Sequence, residues 1–134
     1  MIGAISTAIT GLFAAGKRVE ASANNIANAQ SEGSLDPNSP NQPYQAQTTV
    51  QKAVGESGGV AAYNIPKNPS VVGVYDPNSP FADANGNIGV PNVDLAEEAV
   101  NLKLAEISYK ANLATIKTAS EMSDALLNIV DEKA

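Results

Sequence analysis

All eight prolines of the chain fall between Pro37 and Pro91, and none lies in the first 36 or the last 43 residues. Proline inside a helix removes a backbone donor and collides with the preceding turn, at a cost of about 3 kcal/mol. The two ends are therefore free to form long helices, and the middle is not. The expected fold class is α+β. A helical part spans 1–33, a small antiparallel β and loop region spans 34–92, and a second helical part spans 93–134. The two helical parts are expected to pair as a coiled-coil-like bundle.

At the N-terminal end, Ile2, Ile5, Ile9, Leu12, Gly16, Val19, Ala23 and Ile26 follow one another at steps of 3 and 4 in strict alternation. That is a heptad seam. Leu12, Val19 and Ile26 supply bulk, while Gly16 and Ala23 leave room for another backbone. Gly3, Gly11 and Gly16 each cost roughly 1 kcal/mol of helix propensity relative to alanine. A helix so composed is marginal alone and needs a partner.

The seam runs out in the stretch ASANNIANAQSEG. Asparagine is a mediocre helix former because its amide competes for backbone hydrogen bonds. Two readings remain open for Asn24, Asn25 and Asn28. Their amides reach a neighbouring chain, or they mark a helix end, with Asn28 near the C-cap and Gly33 beyond it.

The C-terminal helix has a clear start. Asp94 is placed to cap it, Glu97 to close a capping box, and Glu98 to favour the positive end of the dipole. Leu102, Ala105, Tyr109, Leu113 and Ile116 then form one apolar stripe. Val100, Leu104, Ile107, Ala111 and Ala114 form a second, about 180° away at 100° per residue. A helix of about 37 residues is roughly 55 Å long, more than the polar middle segment can cover. The second stripe is expected to meet other protein chains.

The middle carries strand signals. In PYQAQTTVQKAV, Tyr44, Ala46, Thr48 and Val50 alternate with Gln45, Gln47, Thr49 and Gln51, the pattern of a half-buried strand. GESGG predicts a turn, GGVAAYNI a return strand, SVVGVY a third strand, and Asn85-Gly86 a tight turn. The pentapeptide DPNSP occurs at 36–40 and again at 76–80. Asp-Pro and Ser-Pro start turns, which predicts two loops of similar conformation.

Composition narrows the function. The formal net charge is -6, from 14 acidic and 8 basic residues, which offers nucleic-acid phosphates no counter-charge. The chain has no cysteine and no histidine, so thiolate metal sites and the commonest acid–base group are missing. No cofactor, metal site or catalytic residue is expected. No apolar run approaches a bilayer span, so no direct membrane insertion is expected. Lys17, Arg18 and Glu20 fall where a cleaved signal peptide would be uncharged, so export by another route is expected. The stretch DANGNIGVPNVD resembles a calcium loop only loosely, with Ile88 where such a loop has glycine. A calcium- or glycan-binding module, or a cell-wall glycan hydrolase using paired carboxylates, is the alternative reading.

Two segments carry a family resemblance. AAGKRVEASANNIANAQSEG is similar to the signature near the start of bacterial flagellar axial proteins, which form the rod and hook. NVDLAEEAVNLKLAEISYKANLATIKTASEMSDALLNI resembles their matching C-terminal segment. The short length and VYDPNSPFADANGNIGVPNVD resemble the proximal-rod type within that family. The resemblance implies a helical tube of paired terminal helices that transmits torque from motor to hook in the periplasmic space. It also implies self-association, neighbours among the other axial proteins, and delivery by the flagellar type III export apparatus. Asn24, Asn25, Ile26, Asn28, Asn92, Asp94 and Leu95 match the family's motif positions, as do Glu98, Asn101, Tyr109, Asn112, Thr118, Met122 and Leu126. All are implied to make contacts within or between subunits, and the spacing of the stripes adds Leu12, Val19, Val100, Leu104, Ile107, Leu113 and Ile116 as expected contacts.

Overall fold

The computed structural model describes residues 2–55 and 58–131. Helix α1 (Ile2–Asn28) is followed by strands β1 (Gln47–Ala53), β2 (Val60–Pro66), β3 (Val71–Tyr75) and β4 (Asn87–Pro91), and then by helix α2 (Leu95–Asp131). The strands form two antiparallel hairpins, β1–β2 and β3–β4. Asn25 meets Glu98 near one end of the helix pair, and Gly11 faces Asn112 further along it. The helices are therefore antiparallel. The β1–β2 hairpin lies against α1, so α1 is flanked by a helix and a hairpin, while α2 packs on α1.

The packed face of α1 has the expected period but a different phase. Its buried residues are Ala8, Ala14, Ala15, Ala21, Ser22 and Asn25. The seam of Ile9, Val19 and Ile26 is displaced by one residue, about 100° of rotation, and these three side chains are exposed. The reason is the distance between helix axes. Alanine and serine on both helices, with glycine on α1, let the backbones approach closely, and bulky residues are left at the rim. Among the described side chains of α2 the buried ones are Glu98, Ala105 and Ala119. A core of alanine buries little area per residue, so each contact contributes well under the roughly 1.5–3 kcal/mol of a buried leucine.

The caps explain where α2 starts. Asp94 Oδ1 accepts from the Ala96 and Glu97 N–H groups at 2.8 and 3.3 Å. The capping box is not closed by Glu97, whose Oε2 accepts from Lys67 Nζ at 2.7 Å. An ammonium offers a stronger, charge-assisted partner than a backbone amide.

In the β region the register runs from Gln47 opposite Pro66 to Ala53 opposite Val60. Gln47 and Thr49 are the partly covered residues, and Thr48 and Val50 point outward. Ala46, fully buried, comes before the strand. There its N–H donates to Ser70 O and its carbonyl accepts from Lys67 N–H, tying the two hairpins together. Glu56 and Ser57 of the expected GESGG turn lie outside the described residues. β4, the most covered strand, has no strand-like composition, with Gly89 at its centre and Pro91 at its end. Gly33 and Gly89 exchange both backbone hydrogen bonds at 3.0 and 2.8 Å. A Cβ at Gly33 would overlap the backbone of Gln42 and Pro43, so only glycine fits there.

The repeated pentapeptide folds twice the same way. Asp36 Oδ1 accepts from Asn38 N–H at 2.9 Å, and Asp76 Oδ1 accepts from Asn78 N–H at 3.1 Å. In each loop the serine Oγ, of Ser39 or Ser79, then accepts a backbone N–H two residues on, from Asn41 or Phe81. These are Asx and Ser turns set by side chains, as the dipeptides predict.

Candidate assembly surface

The three asparagines have different roles. Asn25 is 1% exposed, and its amide makes all four hydrogen bonds available to it. Nδ2 donates to Glu98 Oε1 at 2.6 Å and to Gln47 O at 2.8 Å. Oδ1 accepts from Gln47 N–H at 2.8 Å and from Tyr44 OH at 3.1 Å. One side chain thus clasps the end of α1, the start of β1 and the first turn of α2. Asn28 donates to Asn24 O at 2.9 Å, folding back on its own helix, and α1 ends there. Asn24 is exposed.

Glu98 is 4% exposed. It falls seven residues before Ala105 on the packed face of α2, so it is more than a dipole partner for the helix start. Burial first, and the Glu98 carboxylate second, push the Tyr44 phenol above its ordinary value. Tyr44 and Gln47 were not among the expected contact residues. The seven-residue step from Ala105 back to Glu98 is the signal that would have found this clasp.

The remaining expected contact residues divide by coverage. Leu12, Asn28, Asn92, Asn101, Asn112 and Ile116 are half-buried. Asn92 Nδ2 donates to Pro69 O at 2.9 Å, and Asn112 Nδ2 to Ser108 O at 2.8 Å. Val19, Asn24, Ile26, Asp94, Leu95, Tyr109, Leu113, Thr118, Met122 and Leu126 are exposed. The structure brings Val19 and Tyr109 to one open groove, with Ala15, Gly16, Leu102 and Ala105. The two expected seams thus adjoin at the rim of the helix pair and do not interlock.

The second stripe of α2 faces outward along its length. Val100 is 59% exposed, Leu104 46% and Ile107 55%, and Ala111, Ala114 and Thr118 continue the row in the open. A further exposed apolar residue, Phe13 on α1, lay outside the expected set. Next to the stripe, Glu106 accepts from Lys103 Nζ at 2.9 Å and from Lys110 Nζ at 2.5 Å. These hydrogen bonds, Lys110 first, hold its carboxyl down to about 2.

Among the described residues there is no cluster of three or more His, Cys, Asp or Glu side chains placed to hold a metal ion. Asp83, in the calcium-like stretch, takes the Asn85 and Asn87 N–H groups on one oxygen, both at 2.8 Å. Its spacing serves a turn. No described helix is long and apolar enough to cross a membrane. The arrangement offers docking faces, a polar clasp and two hairpins.

Known proteins give this arrangement a family. Residues 84–129 match the family described as flagellar basal body rod FlgEFG protein C-terminal. The chain is 38% identical over 117 residues to the flagellar basal-body rod protein FlgC of Salmonella typhimurium, covering 83% of this chain and 84% of the relative. It is 36% identical over 116 residues to the protein of that name from Yersinia enterocolitica, with the same coverage of 83% and 84%. With the one from Agrobacterium fabrum, identity is 30% over 126 residues, covering 90% and 88%. Clasp, helix pair and outward stripe are thus those of a chain that belongs to the FlgC family of flagellar basal-body rod proteins.

Proposed function

We propose that the chain is a structural subunit of the bacterial flagellar basal-body rod, built into a helical tube that transmits torque from motor to hook. The role is architectural and involves no catalytic step. The observation that supports it most is the two-sidedness of α2. One face packs on α1 through small residues, and the opposite face carries Val100, Leu104 and Ile107 in the open. Apolar surface of this extent on a helix is covered in the working state. Heterologous contacts between copies that do not close into a ring generate a filament.

In this reading Leu12, Val19, Tyr109 and Leu113 form a second contact band at the rim of the pair, and Met122 and Leu126 extend the contact along the end of α2. Neighbours are further copies and other axial proteins of the rod. The site of action is the rod, in the periplasmic space. The chain reaches it without a cleaved signal peptide, through the flagellar type III export apparatus. Passage through a narrow channel requires an unfolded chain, and an alanine core of low intrinsic stability suits repeated unfolding.

Complementation of a strain lacking its own copy tests this. Leu104→Asp and Ile107→Asp are each expected to abolish rods and motility while leaving the purified chain's far-ultraviolet spectrum unchanged. Normal rods from both variants would refute the reading.

A further inference from the structure

We propose that the register of the α1–α2 pair is set by two polar markers two heptads apart, and not by the residues that fill the seam between them. The markers are Asn25 against Glu98, and Asn112 in the notch at Gly11. Asn25 and Gly11 are fourteen residues apart on α1, and Glu98 and Asn112 are fourteen apart on α2. The Asn25 amide bonds Glu98 at 2.6 Å. A Cβ at Gly11 would lie 2.5 Å from Asn112 Oδ1, so the asparagine occupies the space a side chain would take.

The seam itself carries little register information. Its buried residues are Ala8, Ala15 and Ser22 on α1 and Ala105 and Ala119 on α2, with Leu12, Leu102, Ser108 and Ile116 half-buried beside them. A slide of seven residues sets small residues against small residues again over most of the pair, while the last heptad of α1 and Ala119 lose their partners. A single buried polar residue is the best-attested device for choosing among registers of equal packing.

A competing register exists. Sliding α1 by one heptad puts Arg18 where Asn25 now stands, opposite Glu98, and Gly11 opposite Ala105. Arg18 and Glu98 already line the same cleft. The slid register replaces a neutral amide by an opposite charge at the buried carboxylate, and it displaces one helix by about 10 Å. What opposes it is the four-bonded Asn25, which also holds Gln47, with the Asn112 notch and the Thr10 Oγ1 bond from Val60 N–H at 3.1 Å as lesser ties. Asn25 is thus a positioning residue. It keeps the α2 stripe at a fixed height relative to α1 and the β1–β2 hairpin.

The chain has no cysteine, so paired spin labels go in cleanly. Ala23→Cys and Lys117→Cys are both exposed and lie well apart along the pair. In the otherwise native chain a single distance is expected by pulsed electron resonance. In Asn25→Ala/Asn112→Ala, a second discrete population about 10 Å longer is expected, holding at least a tenth of the molecules. Asn25→Asp/Asn112→Ala keeps the side-chain shape but sets a carboxylate against Glu98, and it should show the same longer distance. Adding Arg18→Gln should remove it. If both double variants keep only the native distance, or give a broad distribution with no discrete longer peak, the proposal is overturned. The measurement is made on the isolated chain and does not depend on the rod assignment.

Discussion

Asn25 Nδ2 stands 2.6 Å from Glu98 Oε1, in a site where both residues are almost completely covered. Seventy-three residues of chain separate them, so this contact ties the first helix to the last. A buried carboxylate without a partner is strongly disfavoured. The amide satisfies it and uses its remaining valences on Gln47 of β1 and on the Tyr44 hydroxyl.

Removing that amide should be costly. Asn25→Ala leaves Gln47 N–H and O and a Glu98 oxygen without their partner. Each buried orphan costs about 1–3 kcal/mol, partly relieved by water, so a net loss of about 2–4 kcal/mol is expected in urea unfolding. Asn24→Ala, one residue earlier and exposed, should change stability by no more than about 0.5 kcal/mol. Equal effects of the two substitutions would remove Asn25 from its place as the clasp.

Two glycines should respond with opposite sign. Gly33→Ala drives a Cβ into the backbone of Gln42 and Pro43 and should cost about 1–3 kcal/mol while weakening the Gly33–Gly89 bridge. Gly16→Ala meets nothing within 4 Å and should stabilise α1 by up to about 1 kcal/mol through helix propensity. Thermal unfolding of the free chain reads both.

The fold was legible where local chemistry decides it. Proline confinement marked the two helices, Asp94 marked the start of α2, and the paired DPNSP loops were readable from their dipeptides. Three features were not legible, each for a physical reason. β4 is built on Gly89 and Pro91, and its strand character comes from pairing with β3 and the Gly33 bridge, which local propensity does not report. The period of α1 was visible but its phase was not. Bulk marks a seam when helices pack at ordinary distance, whereas here close approach selects alanine. Glu98 looked like a helix-start charge because its partner lies in another part of the chain. The outward stripe of α2 was legible from spacing alone, since 100° per residue places Leu104 and Ile107 opposite the packed face.

The Lys103–Glu106–Lys110 group should be visible in a pH titration. The Glu106 carboxyl is held down to about 2, below the ordinary glutamate value of about 4.3. A depressed folded value means that its contribution to stability is present above the unfolded value. That contribution is lost as the pH falls through the folded one, between about 4.3 and 2. The group is solvent-exposed, so salt should move the midpoint back toward the ordinary value. Side-chain carbon resonances of Glu106, followed with and without 0.5 M sodium chloride, check this. A salt-insensitive midpoint near the ordinary value would contradict it.

Tyr44 should titrate late. Its phenol is raised by burial and by Glu98, so its neutral form favours the fold. The contribution is present below the unfolded value near 10 and is lost as the pH rises through the higher folded value. Alkaline difference spectra of the native chain and of Tyr44→Phe isolate this residue. The subtracted component should ionise above 10, and one ionising at or below 10 would contradict the buried clasp.

The most direct measurement is the accessibility of Ile107 in the free chain and in the assembled rod. Ile107→Cys supplies a lone thiol on the exposed stripe of α2, and maleimide labelling rates report its contact with solvent. Fast labelling of the free chain and at least tenfold slower labelling within isolated rods is the predicted result. Equal rates in the two states would mean that nothing covers this face on assembly, and the account of the outward stripe as a subunit contact would be wrong.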